Sequence, residues 1–249
     1  MILSIIIPSF EQGSELNGAL QSIAQQTFND YEIIIVDGGS TDTTSAVVST
    51  YPHLPIVFIR ESDDGIYDAM NKGVKFSKGE FLYFMGCDDR LYNSDILNNV
   101  FNVPNATNSH VIYGNVIFAK SLIKYDGRFT ALKLMNRNIC HQAIFVRRVV
   151  FDKLGLFDVR YKTYADWEFN MRWFNAKWIK KKYVPLVIAL FNEAGFSSNL
   201  QDVNFFRDQA MLEKRYFTFI ERYLSAYPYR PLHNRVARVL SLIDKLRHY

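Results

Sequence analysis

Apolar and polar positions follow two rhythms along this chain, and the switches between them mark its elements. The stretches LSIIIPSF, YEIIIVDGG, PIVFIR and GEFLYFMGCDD each carry a near-continuous apolar run, the pattern of strands covered on both faces. Between them, residues 15–26, 40–51 and 68–77 carry helical character, with Ser40 or Thr41 as N-cap of the second helix and Asp42 near its positive end. The order β-α-β-α-β-α-β predicts a mostly parallel sheet with helices on both faces.

Beyond residue 90 the rhythm loosens. Residues 95–108 read as a helix and polar loop, 110–120 as a strand, 139–148 as a strand, 149–158 as a short helix, 164–176 as a helix and 180–192 as a strand. The basic, weakly periodic stretch 121–138 reads as a mobile, substrate-facing loop. Near the end, Val236, Val239, Leu240 and Ile243 fall at i, i+3, i+4 and i+7 with Arg235, Arg238, Lys245 and Arg247 between them. That is a basic amphipathic helix, fit to rest on an anionic membrane, to pack on the core or to pair in a homodimer.

In parallel sheets, ligands sit beyond the carboxyl ends of the strands. The acids of the first half fall there: Glu11 after the first strand, Asp37 at the end of the second, Glu61, Asp63 and Asp64 after the third, Asp88 and Asp89 after the fourth. The first strand runs into PSFEQG and not into a GxGxxG turn, which disfavours a dinucleotide site. Charge sharpens this picture. Residues 1–89 hold 4 Lys/Arg against 13 Asp/Glu, and residues 90–249 hold 25 against 12, so a net −9 half precedes a net +13 half. An acidic rim facing a polyphosphate needs a cation between them, and a basic half suits an anionic substrate or surface.

Composition excludes several classes. With 249 residues, 49% hydrophobic and 22% charged, the chain is expected to fold as a globular protein. Two cysteines, Cys87 and Cys140, with no CxxC, argue against a disulfide framework or structural zinc and suit a reducing cytoplasm. MILSIIIPSF is interrupted by Pro8 and Glu11 and reads as a strand instead of a leader, and no apolar run approaches the roughly 20 residues of a membrane span.

Six stretches in this order, PSF with Glu11, IIIVDGGSTDTT, ESDDGIYDAMNKGV, GEFLYFMGCDD, ICHQAIFVRR and ADWEFNMRW, resemble the family 2 glycosyltransferases of the GT-A fold over about residues 1–200. The resemblance implies a Rossmann-like α/β sheet flanked by helices, with a nucleotide-sugar half at 1–100, an acceptor half at 101–205 and a basic helical tail at 206–249. It further implies an inverting enzyme that uses a UDP-sugar and Mn²⁺ or Mg²⁺. The product is a β-linkage on a saccharide carried by undecaprenyl diphosphate, for O-antigen, lipopolysaccharide or capsule assembly at the inner face of the cytoplasmic membrane.

The family motifs assign roles residue by residue. Asp89 matches the metal ligand and Asp88 the ribose or outer-sphere partner. Asp37 matches the uracil contact. Pro8 and Glu11 occupy the first nucleotide segment, where Glu11 departs from the Asn often found nearby. Asp64 and Gly65 match the donor-pocket loop, with Asn71 and Lys72 on the helix that follows. Asp166 matches the base that takes the acceptor's proton; Ala165 precedes it where the family usually has Glu, and Glu168 is a competing acid. His141 and Gln142 match an acceptor or phosphate contact. Elementary chemistry agrees, since a departing diphosphate needs its charge neutralised and oxygen ligands hold the hard cations that do so. A nucleotidyltransferase, or a scaffold that binds nucleotide sugar without turnover, remains the competing reading; no nucleic-acid partner is indicated.

Overall fold

A computed structural model describes residues 1–192 and 202–226. The first half is a run of alternating strands and helices: β1 (Leu3–Ser9), α1 (Gly13–Ala24), β2 (Tyr31–Asp37), α2 (Thr44–Ser49), β3 (Ile56–Arg60), α3 (Ile66–Phe76) and β4 (Phe81–Phe84). A two-residue β5 (Arg90–Leu91) and α4 (Ile96–Phe101) follow. Then come β6 (Val111–Phe118), β7 (Lys124–Tyr125), α5 (Ala131–Asn136), a 3-10 turn at His141–Ala143, β8 (Ile144–Arg147), α6 (Arg148–Leu154), α7 (Ala165–Asn175) and β9 (Lys181–Phe191). Two helices, α8 (Val203–Tyr216) and α9 (Phe219–Ala226), close the described chain.

The strands form one sheet in the order β3-β2-β1-β4-β8-β6-β9-β5, with β7 paired to β6. Successive strand residues point to opposite faces. Ile5, Ile7, Ile33 and Ile35 therefore pack with Leu16, Leu20 and Ile23 of α1 and Leu97 of α4, while Ile6 and Ile34 pack with Met70 and Val74 of α3. This two-sided burial is why the strands read as unbroken apolar runs.

The parallel pairing expected from the sequence holds from β3 to β4. Beyond β4 the sheet is mixed: β8 runs antiparallel to both β4 and β6, and β9 runs parallel to β6. Stretch 121–138 is also more ordered than expected. It contains β7 and α5, and Phe129, Leu134 and Met135 are buried in the α3 and α7 core. Its strand is two residues long and its helix six, so the i, i+3, i+4 spacing of Ala131, Leu134 and Met135 is too short a run to stand out. Helix α2 starts at Thr44, after both residues expected to cap it; Asp42 instead accepts from Thr44 N at 2.9 Å and from Gly13 N at 2.8 Å.

Residues 233–249, on which the amphipathic-helix, membrane and dimer expectations rest, lie outside the described residues. No helix of the described residues is long and apolar enough to cross a membrane.

Candidate active site

The carboxyl end of β4 makes a tight turn around two acids. Asp89 N donates to the Gly86 carbonyl at 3.3 Å, and Gly86 N donates back to Asp89 Oδ2 at 3.0 Å. A Cβ at position 86 would stand 2.8 Å from Asp89 Oδ2 and 2.9 Å from Asp88 Oδ1, so glycine alone lets both carboxylates fold over this turn.

The two acids have different surroundings. Asp89 is 1% exposed and accepts from Gln142 Nε2 at 2.8 Å and Asn192 N at 3.2 Å, besides Gly86. Burial, and then the Asp88 charge, push its carboxyl above the ordinary range. Asp88 is half-buried, lines a cavity of about 290 Å³, and has no hydrogen bond or ion pair with the described residues. The unbonded carboxylate of the pair is thus Asp88, and Asp89, to which the motif assigns the metal, is the anchored member.

Asp166, His141, Gln142 and Pro8 line the same cavity. Asp166 is the second residue of α7, 7% exposed, and each of its oxygens has two polar neighbours. Oδ1 lies 2.9 Å from Tyr67 Oη and accepts from Trp167 N at 2.8 Å. Oδ2 accepts from Asn138 Nδ2 at 2.9 Å and lies 3.3 Å from His141 Nδ1. Asp166 thus lines the cleft, as the motif implies, and sequence reasoning missed Tyr67 and Asn138, which hold it there. The available signal was Tyr67's place in the GIYDAMN motif, two residues after Gly65.

Glu168 is elsewhere. It is buried on another side of α7, paired through both carboxylate oxygens with Arg172, and accepts from Tyr216 Oη at 3.0 Å. Two residues along a helix turn a side chain roughly 200° around the axis, so Glu168 points away from the cavity that Asp166 lines. The acid that competes with Asp166 in the motif is thus held in a structural ion pair.

On the nucleotide side, a second cavity of about 250 Å³ is lined by Pro8, Phe10, Asp63, Gly65 and Ile66. Asp63 supplies the acid there, its Oδ1 accepting from Gly65 N at 2.9 Å, whereas Asp64 is exposed and lines a neighbouring cavity of about 350 Å³ with Tyr67, Lys162 and Thr163. Burial pushes the Asp63 carboxyl upward. Gly38 makes room for it, since a Cβ at 38 would come within 2.7 Å of Asp63 Oδ2.

Asp37 is 1% exposed at the end of β2; it accepts from both the amide and the hydroxyl of Ser40, and Arg60 Nε stands 3.5 Å away. Glu11 ties the end of β1 to the same turn, accepting from Thr41 N at 2.8 Å while its own amide donates to Ser40 Oγ at 2.8 Å. Both acids support the nucleotide-side wall.

Asn71 and Lys72 do not face either cavity. Asn71 is buried, donating to the Phe157 carbonyl at 2.9 Å and accepting from Phe157 N at 2.9 Å. Lys72 is paired with Glu61 at 3.1 Å and Asp68 at 3.3 Å. The cation beside the cleft is Lys162, which donates to the Asp64 carbonyl at 3.0 Å and lines the Asp166 cavity. Among the described residues no three His, Cys, Asp or Glu side chains form a closed metal site. Magnesium-type ions need no such cage, because they take one or two carboxylates plus substrate phosphates; Asp88 fits that donor set.

Comparison with known proteins identifies the family and the fold. The family model described as glycosyl transferase family 2 matches residues 4–178. A Mycobacterium tuberculosis protein named PGL/p-HBAD biosynthesis glycosyltransferase is 41% identical over 203 residues, covering 80% of this chain and 79% of its own. In fold, the chain is similar to S. aureus TarS 1-349 in complex with UDP-GlcNAc, with a TM-score of 0.70 and 20% identity over 81% of this chain and 62% of that one. It is also similar to the Pyrobaculum calidifontis mannosyltransferase PcManGT in complex with GDP-Man and Mn²⁺, with a TM-score of 0.62 and 13% identity over 99% and 86% of the two chains. Carboxylates gathered at the strand ends of a mixed GT-A sheet, and a family match over most of the chain, lead to one conclusion: this protein belongs to the family 2 glycosyltransferases.

Proposed function

We propose that the protein is an inverting, metal-dependent transferase that moves a hexose or N-acetylhexosamine from a UDP-sugar to a lipid-linked saccharide. The observation that carries this reading is that Asp88, an unbonded carboxylate, and Asp166, a firmly held one, line a single cavity. The nucleotide lies along the wall lined by Pro8, Asp63 and Gly65, with Asp37 at the strand end behind it. Asp88 would hold Mn²⁺ or Mg²⁺, which would supply positive charge against the departing diphosphate. Asp89, fixed by Gln142, sets the turn that aims Asp88. Asp166 accepts the proton of the attacking hydroxyl. Attack from the side opposite the nucleotide converts an α-linked donor into a β-glycoside.

UDP is favoured by the match of Asp37 to the family's uracil contact, and TarS, similar in fold, was solved with UDP-GlcNAc. An acceptor carried on undecaprenyl diphosphate, in O-antigen or capsule assembly, is supported by the motif resemblance and by the basic second half. The mycobacterial relative is named for PGL/p-HBAD biosynthesis, so a glycoside of that pathway is the alternative acceptor. Work on lipid-borne acceptors places the enzyme at the cytoplasmic face of the membrane as a peripheral protein.

The test is UDP release from a panel of UDP-sugars, with Mn²⁺, Mg²⁺ or EDTA, and with or without a synthetic lipid-diphosphate GlcNAc or GalNAc. Metal-dependent release from one donor, stimulated by the lipid-linked acceptor, is expected. Equal turnover on short acceptors lacking lipid and phosphate removes the acceptor assignment, and equal release in EDTA removes the metal.

A further inference from the structure

Tyr67 sits on the first turn of α3, 5% exposed, and its hydroxyl meets two acceptors. The phenol oxygen is 2.9 Å from the Thr163 carbonyl and 2.9 Å from Asp166 Oδ1. A phenol carries one proton, so only one of these bonds is donated at a time. Burial, and then the Asp166 charge, hold the phenol well above its ordinary range, which keeps it neutral and a donor. Lys162 forms a second tie between the same two segments through the Asp64 carbonyl. The turn that begins at the donor loop is therefore bonded directly to the segment that carries Asp166.

We propose that Tyr67 is a positioning residue with two settings: it donates to Asp166 Oδ1 while that carboxylate is ionised and turns to the Thr163 carbonyl once Asp166 has accepted the acceptor's proton. The inference rests on the reading of Asp166 as the base. An ionised carboxylate is a stronger acceptor than a carbonyl, and a protonated one is weaker, so the preferred partner of Tyr67 changes with the charge on Asp166. The phenol proton has a bond in both states. In the transfer step the acceptor O–H bond breaks, an oxygen–anomeric carbon bond forms, and the bond from that carbon to the diphosphate oxygen breaks. The electron pair leaves with UDP and the proton stays on Asp166; Tyr67 neither gains nor loses one.

The titratable groups facing Asp166 are Tyr67 from α3, His141 from the 3-10 turn, Cys140 just before it and Tyr125 from β7, while Asp202 faces Tyr67 from the start of α8. Removing the Tyr67 hydroxyl takes a donor from the ionised form of Asp166 only, so proton uptake shifts to higher pH.

Carboxyl carbon-13 NMR of Asp166 in the full chain reads this without substrate. In Tyr67→Phe, Asp166 is expected to titrate at higher pH than in the parent. A fluorinated tyrosine at position 67, a stronger donor that keeps the ring and hydroxyl, is expected to move the titration lower. With the donor and acceptor chosen from the panel, Tyr67→Phe lowers kcat by about 10- to 100-fold, the scale of a lost hydrogen bond to a charged group. The donor KM stays unchanged and the acid limb of the pH profile moves up. Superimposable titrations of the parent, phenylalanine and fluorotyrosine proteins, with Asp166→Asn inactive, overturn the role of Tyr67 alone. Asp166→Asn at parent turnover overturns the base reading, and the role of Tyr67 with it.

Discussion

Asn71→Leu separates two uses of one side chain: contact with the donor nucleotide, as the motif implies, or a clamp on the chain at Phe157, as the structure has it. Both ends of the Asn71 amide are bonded to the Phe157 backbone at 2.9 Å, and both residues are 6% exposed. Phe157 lies among Tyr67, Phe84, Phe151 and Phe169, at the packing of α3 against α6 and α7. Leucine fills similar space but leaves the Phe157 amide and carbonyl without partners, at about 1–3 kcal/mol for each buried group. Some of that loss is offset by the apolar surface leucine buries, so a net loss of about 3 kcal/mol is expected. For a chain of this size that lowers Tm by about 6–12 °C. Calorimetry measures the transition, and titration calorimetry with UDP, run well below it, measures the nucleotide affinity. The reasoning requires a large fall in Tm with UDP affinity preserved within about twofold. An unchanged Tm with tenfold weaker UDP binding would refute the clamp and return Asn71 to the donor site.

Four further outcomes follow from the geometry. Asp166→Asn is expected to lower kcat by about 10²–10⁴-fold, the range of a lost general base, with UDP affinity kept; steady-state kinetics beside nucleotide titration check this. Asp88→Asn is expected to lower metal-stimulated turnover by about 10²–10³-fold, read as loss of the difference between rates in Mn²⁺ and in EDTA. Glu168→Gln takes the countercharge from Arg172, whose side chain is 13% exposed, and costs about 3 kcal/mol of stability in a denaturant melt; kcat of the folded protein should stay within about threefold of the parent. Burial pushes the Cys87 thiol up to about 12, so its reactive thiolate is scarce in the folded state at neutral pH. Alkylation of Cys87 by iodoacetamide should stay slow through the neutral and mildly alkaline range and become fast on unfolding.

Strand ends were legible because their cause is local. An apolar run that stops at an acid marks both a covered strand and the rim where ligands bind, and Asp88 and Asp89 reach the cavity as that logic requires; Asp166, on the first turn of a helix, was singled out by its motif alone. Side-chain direction around a helix was less legible, because it depends on packing partners that are distant in sequence. Asn71 lies 86 residues from Phe157, and Glu168 lies 48 from Tyr216; nothing in either motif names those partners. The DDG loop was legible only in part. Its two adjacent acids line different cavities, Asp63 beside Phe10 and Asp64 beside Lys162, and the composition of neighbours does not tell them apart until Gly38 is seen making room for Asp63.

The departure from parallel pairing has a functional consequence. β8 pairs antiparallel to β4, with Tyr83 opposite Phe145 and Phe81 opposite Arg147. The chain therefore enters β8 beside the carboxyl end of β4 and leaves it beside the amino end. Residues just before β8 are thereby delivered to the acid rim, where Gln142 bonds Asp89 and His141 reaches Asp166. A parallel strand in the same slot would begin at the opposite edge of the sheet, about 10 Å away for a strand of this length, and those side chains would miss both acids. The same reversal sends the chain through α6 and returns it at α7, whose first turn faces the first turn of α3 and permits the Tyr67 to Asp166 contact. The mixed half of the sheet is thus the reason that acids from two distant segments share one cleft. An alternating pattern of apolar runs records that strands are covered, but carries no sign for their direction. The signal for direction lies in the functional residues themselves: if His141 and Gln142 are to meet the acids that follow β4, the strand they precede has to run against it.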